Sequence, residues 1–114
     1  MKQDLITVVE TASFVTDAKA CMSDSERMEA INMIAANPEC GNVISGGGGI
    51  LKVRFAIGGR GKSGGVRIIY YFHNELVPVF LLAVFAKNEQ ANLTRAEVTM
   101  LGNAAKMLAR KYGE

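Results

Sequence analysis

A chain of 114 residues, 49% hydrophobic and 21% charged with 2 prolines, can bury a core and lacks the composition of a disordered segment. Cys21 and Cys40 are too few for a disulfide framework or a structural zinc site, and the run Leu76 to Ala86 is too short to cross a bilayer. The opening MKQDLITVVETASF has neither the apolar core nor the cleavage site of a secretory leader, so residues 1–114 are expected to form one soluble cytoplasmic domain with no membrane partner. The formal charge of +2 conceals an asymmetry. Residues 1–39 carry a net −4, residues 40–74 carry five cations and no acid, and residues 75–114 carry a net +1. A basic block of this kind points to a polyanion, although lysines can also serve only to blunt a strand edge.

In chain order, residues 4–10 (DLITVVE) predict a first strand, and Ser13 to Cys21 a short helix. Ser23-Asp-Ser-Glu26 has capping-box spacing and opens a second helix with the stripe Met28, Ile31, Ile34 and Ala35, stopped at Asn37-Pro38. Ile50–Ile57, Val66–His73 and Val77–Ala86 are rich in β-branched and aromatic residues and predict an antiparallel meander, its last turn at His73-Asn-Glu-Leu76. Thr94-Arg-Ala-Glu97 is a second capping box, followed by the stripe Val98, Leu101, Ala105, Leu108 and Tyr112. Helices first, clustered strands next and one closing helix make an α+β fold: two N-terminal helices on a small antiparallel sheet, with a C-terminal helix.

Ten of the 12 glycines lie between Gly41 and Gly65, on the two loops that flank the basic strand. Within them, Ala56-Ile-Gly-Gly-Arg-Gly61-Lys62-Ser63 fits a loose P-loop pattern, and Gly59-Arg-Gly61-Lys-Ser-Gly64 a dinucleotide fingerprint. Both mechanisms need a helix N-terminus after the loop, and VRIIYYF reads as strand. Both motifs are therefore rejected. A glycine loop carrying Arg60 and Lys62 can still follow a sugar–phosphate backbone, because its amides are unobstructed.

Strand parity puts Lys52 and Arg54 on one face of their strand, and Arg67 on one face with Tyr71. A register pairing Arg54 with Arg67 would gather all three cations into a phosphate site. Crowded like charges could then adapt Lys52 to act as a base. His73 is the only histidine, which excludes a two-histidine ribonuclease, and it reads as a solvated residue beside a turn. Cys21 and Cys40 read as core or surface thiols. With no acid in the basic block, neither a metal nor a cofactor is expected.

GGGGILKVRFAIGGRGKSGGVRIIYYF followed by VFLLAVFAKNEQANLT resembles the RelE/HigB superfamily of bacterial toxins, most of all its HigB-type branch. VETASFVTDAK and Asn37-Pro38-Glu-Cys-Gly-Asn-Val-Ile extend the resemblance over nearly the whole chain. It implies a toxin of a type II toxin–antitoxin module: a metal-independent mRNA endonuclease acting on ribosome-bound message and neutralised by a cognate antitoxin, expected to be a HigA-like helix-turn-helix protein. Lys52, Arg54, Arg67 and Lys87 match the family's catalytic cations, and Arg60, Lys62 and Tyr71 are the further RNA-binding candidates. Members of the family place a tyrosine a few residues past the last strand, where this chain has NEQANLT, and many carry an arginine in place of Asn88. The aromatic role is then unfilled or falls to Tyr70 or Tyr71. Two other classes stay open: a toxin resembling the ParE branch that poisons gyrase without cutting RNA, and a plain RNA-binding module.

Overall fold

The structure, a computed structural model, describes residues 5–57, 65–86 and 92–113. β1 (Val8–Glu10), α1 (Ala12–Cys21) and α2 (Asp24–Ala36) precede β2 (Asn42–Val43), β3 (Ile50–Phe55), β4 (Val66–Tyr71) and β5 (Val79–Ala86), and α3 (Arg95–Lys111) follows. The helix starts are set locally. Thr11 Oγ1 accepts the Phe14 amide at the head of α1. At α2, Ser23 and Glu26 close the expected capping box, with bonds of 2.8 and 3.1 Å. Thr94 and Glu97 do the same for α3, at 2.8 and 3.1 Å. Each such cap contributes about 1 kcal/mol by occupying amides that the first helical turn leaves without partners.

The sheet order is β1-β5-β4-β3-β2. Its centre is the expected antiparallel meander, with Arg54 directly across from Arg67. The edges depart from the reading of the sequence. The first strand is three residues long, not seven, and pairs parallel with β5 through Val8–Val79 and Glu10–Leu81, so the sheet is mixed rather than wholly antiparallel. The Thr11 amide and hydroxyl both donate to Leu81 O, at 3.2 and 2.8 Å, and turn the chain off the edge into α1. β2 was not expected at all, and pairs with β3 through Asn42–Lys52 and Val43–Leu51.

Helices cover both sheet faces. On one, Phe14 and Ala18 of α1 and Ala30 and Ile34 of α2 pack against Leu51, Val53, Ile68, Tyr70, Leu81 and Val84. On the other, Ala105 and Ala109 of α3 lie over Ile50, Ile69, Tyr71, Phe80 and Leu82. Of the stripe expected for α2, Ile34 and Ala35 are buried and Ile31 packs against the same core, with Ala30 added, whereas Met28 is 52% exposed. Met28 stands at the edge of the packed face, about 20° around the helix from Ala35. Tyr112, expected to end the buried stripe of α3, is half-exposed but sets its ring edge-on to Phe80 at 5.1 Å.

Tyr70 clamps the α2–β2 connection. Its hydroxyl donates to Pro38 O at 2.8 Å and accepts the Gly41 amide at 2.9 Å. A Cβ at Gly41 would sit 2.8 Å from that hydroxyl and 2.9 Å from Lys52 O, so the clamp needs glycine there. A second close approach locates α3: a Cβ at Gly102 would collide with the Gly47 carbonyl, so helix and glycine loop meet backbone to backbone.

Candidate nucleic-acid interface

The α3 face of the sheet is only partly covered. α3 lies over Ile50, Ile69 and Tyr71, while the same face carries Lys52 and Arg67, half-buried, and Arg54, exposed. Arg54 and Arg67 are directly opposed across two paired strands, where side chains about 5 Å apart repel at like charge by on the order of 0.5 kcal/mol. Lys52 stands two residues along from Arg54, beside Ile69, and its Nζ donates to Asn92 Oδ1 at 3.4 Å, a long contact. Two guanidinium forks and one ammonium thus share a single face. Together they can take one phosphate from one side, the forks by paired hydrogen bonds and the lysine as a mobile point charge.

The register therefore unites Lys52, Arg54 and Arg67 as the strand parity implied. Arg60, Lys62 and Lys87 lie outside the described residues, as does Asn88. The segment after the glycine loop is strand β4, so the P-loop and dinucleotide readings lack their helix here as well. Tyr71 does share the face, but it is 4% exposed beneath the glycine loop and stacks on His73 with ring centroids 6.3 Å apart. As placed, it offers no ring surface to a base, which corrects its selection as an RNA-binding residue. Tyr70 is fully buried on the opposite face, among the α1 and α2 side chains. Burial pushes its hydroxyl well above the ordinary tyrosine range, against the opposing pull of the Gly41 amide, with Cys40 and Glu39 adding to the rise. It stays protonated and out of reach of the cations. Cys21 and Cys40 are half-buried thiols. Cys21 Sγ lies 3.3 Å from Asp17 O, and Cys40 Sγ lies 3.8 Å from the Tyr70 hydroxyl.

Two residues of the site escaped the reading of the sequence. Asn92 meets Lys52 from a stretch with no pattern of its own. Phe85 is the β5 partner of Arg67 and half-buried on the cationic face. The other described aromatic rings are on the opposite face, buried, or at the far end of α3: Phe14, Phe55, Tyr70 and Phe72 belong to the α1–α2 side, and Phe80 is buried under α3. Parity along β5 was legible, but a β-bulge between the partners of Ile69 and Tyr70 (Ala83 and Leu81) shifts the count, and nothing local announces it.

Among the described residues, no group of three or more His, Cys, Asp and Glu side chains is placed to hold a metal ion. No described helix is long and apolar enough to cross a membrane.

This is a small α+β protein, helices on both sides of a mixed sheet, with a cationic patch on one sheet face. A family model described as the RelE toxin of the RelE/RelB toxin–antitoxin system matches residues 6–114, and the chain belongs to that family. Membership implies a cognate antitoxin as partner. Among solved structures, an arginine-to-alanine double mutant of E. coli toxin RelE in the free state has the same fold, with a TM-score of 0.54 and 15% identity. The match covers 96% of this chain and 99% of that one.

Proposed function

We propose that the protein is a HigB-type toxin of a type II module, a metal-independent endoribonuclease that cuts ribosome-bound message in the cytoplasm and so halts translation. The observation that carries this reading is the cross-strand pair Arg54–Arg67 with Lys52 on the same face. RelE-family toxins are typically ribosome-dependent endoribonucleases, which supports the same reading. The RNA 2′-OH attacks the adjacent phosphorus, the bond to the 5′-oxygen breaks, and a cyclic phosphate and a 5′-hydroxyl result. The nucleophile gives up a proton and the leaving oxygen gains one. Lys52 is the member of the trio suited to exchanging the first, with Arg54 orienting the nucleophile as a fixed cation. Arg67 meets the charge that develops on the phosphorane through its paired N–H groups. Lys87 is assigned to the leaving group or the backbone beside it. Cations alone hold phosphate without aligning the 2′-OH for in-line attack, so the ribosome supplies that alignment by fixing the message. A helix-turn-helix antitoxin would silence the enzyme between these events.

The test is Arg67→Ala. Expressed without antitoxin, the native chain should stop growth and cut message on programmed ribosomes at set codon positions, with little cutting of naked RNA. The variant should keep its fold and lose about 10²–10³-fold in cutting rate, as expected for removing a donor that acts in the transition state. A folded Arg67→Ala protein that remains fully toxic removes the patch from the mechanism, and supports a toxin that poisons a partner such as gyrase.

A further inference from the structure

The cations do not end at the sheet. α3 turns about 100° per residue, so Arg95, Thr99, Lys106 and Arg110, spaced four, seven and four apart, fall on one flank. Arg95, Lys106 and Arg110 are all exposed. That flank forms one wall of a cleft whose other wall is the first glycine loop. Ser45, Gly46, Leu93, Arg95, Val98 and Thr99 line it, and no acid is among them. Farther along, Lys106 lies over Gly48: a Cβ there would come within 2.9 Å of its Cε. Glu97, the one acid of α3, is on the other flank, where it lines a separate trough with Asp17 and Phe85. The chain ties the sheet patch to the cleft: Lys52 Nζ donates to Asn92 Oδ1, and the next residue, Leu93, lines the cleft. From Arg95 to Arg110 the helix rises about 22 Å.

We propose that this cleft is a second RNA-backbone site, leading from the Lys52–Arg54–Arg67 patch down the Arg95–Lys106–Arg110 flank; the inference rests on reading that patch as an RNA-cutting site. The chemistry selects a sugar–phosphate chain over a protein. Cations recur along the α3 flank, the hydroxyls of Ser45 and Thr99 and the glycine backbone can bond phosphate and ribose oxygens, and the described residues that line the cleft include no aromatic ring to grip a base. Recognition would be independent of sequence. The backbone could come from the message beyond the cut or from ribosomal RNA, and the test separates the two.

The full-length triple variant Arg95→Gln/Lys106→Gln/Arg110→Gln keeps Lys52, Arg54 and Arg67. Its binding to a short 2′-O-methyl RNA, which cannot be cut, and to vacant ribosomes is measured against salt, with circular dichroism as the check of fold. Losing three phosphate contacts should flatten the log–log salt slope by about 2 and weaken binding at least tenfold at low salt. A loss on the short RNA assigns the cleft to message, and a loss on vacant ribosomes alone assigns it to ribosomal RNA. Unchanged affinity and slope on both, in a folded variant, overturns the proposal. Arg67→Ala is run alongside for cutting. If Arg67→Ala abolishes cutting while the triple variant binds normally, the cleft fails and the cutting site stands. If Arg67→Ala cuts as before while the triple variant has lost its slope, the cutting site fails and the cleft survives as a binding surface.

Discussion

Replacing Tyr70 with Phe separates a structural hydroxyl from a chemical one. The ring is fully buried, and its hydroxyl is held between Pro38 O at 2.8 Å and the Gly41 amide at 2.9 Å. Phenylalanine keeps the packing and strands both backbone groups in the α2–β2 connection. Each stranded group costs about 1–3 kcal/mol, and partial relaxation of the loop should hold the total to about 3 kcal/mol. With a urea slope of about 1–3 kcal/mol/M for a chain of this size, the unfolding midpoint should fall by about 1–3 M. A second signature comes from pH. Burial raises the Tyr70 hydroxyl in the folded state, so below its ordinary value near 10 both states hold the proton and stability does not respond. Above that value the unfolded chain releases the proton and the folded one retains it. Stability then falls with rising pH, by up to about 1.4 kcal/mol per unit from this residue. Urea titrations of wild type and Tyr70→Phe from neutral pH to pH 11 isolate that slope as a difference, present in the first and gone from the second. Cutting by the variant, assayed well below its melting temperature, should be unchanged. A midpoint shift under about 0.5 M, or equal slopes above pH 10, would refute the clamp. A folded variant that no longer cuts would return Tyr70 to the chemistry.

Gly102→Ala should destabilise the fold by more than about 2 kcal/mol in the same titration, although alanine gains ~1 kcal/mol in helix propensity, because its Cβ is driven onto the Gly47 carbonyl. A neutral or stabilised variant would mean that the glycine loop yields. Phe85→Leu should raise KM for ribosome-bound message by about 5–100-fold with kcat little changed, as expected for losing one stacked base, and Phe85→Tyr should restore it. Equal KM values for Phe85→Leu and wild type would show that the ring serves packing alone.

The parts of the fold legible in the sequence are those decided within a few residues of chain. Both capping boxes formed because Ser23 with Glu26, and Thr94 with Glu97, need only one helical turn to meet. The meander was legible in three runs rich in β-branched and aromatic residues, and the Arg54–Arg67 pairing, assumed from strand parity, is the register the sheet adopts. The sheet edges were beyond such a reading. β1 is three residues whose partners are some 70 positions away, and β2 is two exposed residues whose place depends on the Tyr70 clamp. α2 was legible as a helix and, through Ile31, Ile34 and Ala35, in most of its facing; only Met28, at the edge of that stripe, is left exposed by the packing.

The candidate site divides along the same line. Parity placed Tyr71 with the cations, and correctly, but parity cannot say what lies above a strand. Whether Tyr71 is a platform or a core residue depends on α3 and the glycine loop, and those are located by the contact of Gly102 with Gly47. In the sequence, Gly46 to Gly49 reads like the later glycine-rich stretch, as a flexible flank of the basic strand. In the fold it is a surface on which a helix rests, and its small residues let that helix come close enough to bury Tyr71. The same contact sets the Arg95–Lys106–Arg110 flank beside the loop. Counted along the chain, residues 75–114 are nearly neutral; wound into α3, Arg95, Lys106 and Arg110 gather on the flank opposite Glu97 and Lys111. A charge tally along the sequence therefore underestimates the cationic surface, which continues from the sheet onto α3 because two glycines let the helix lie there.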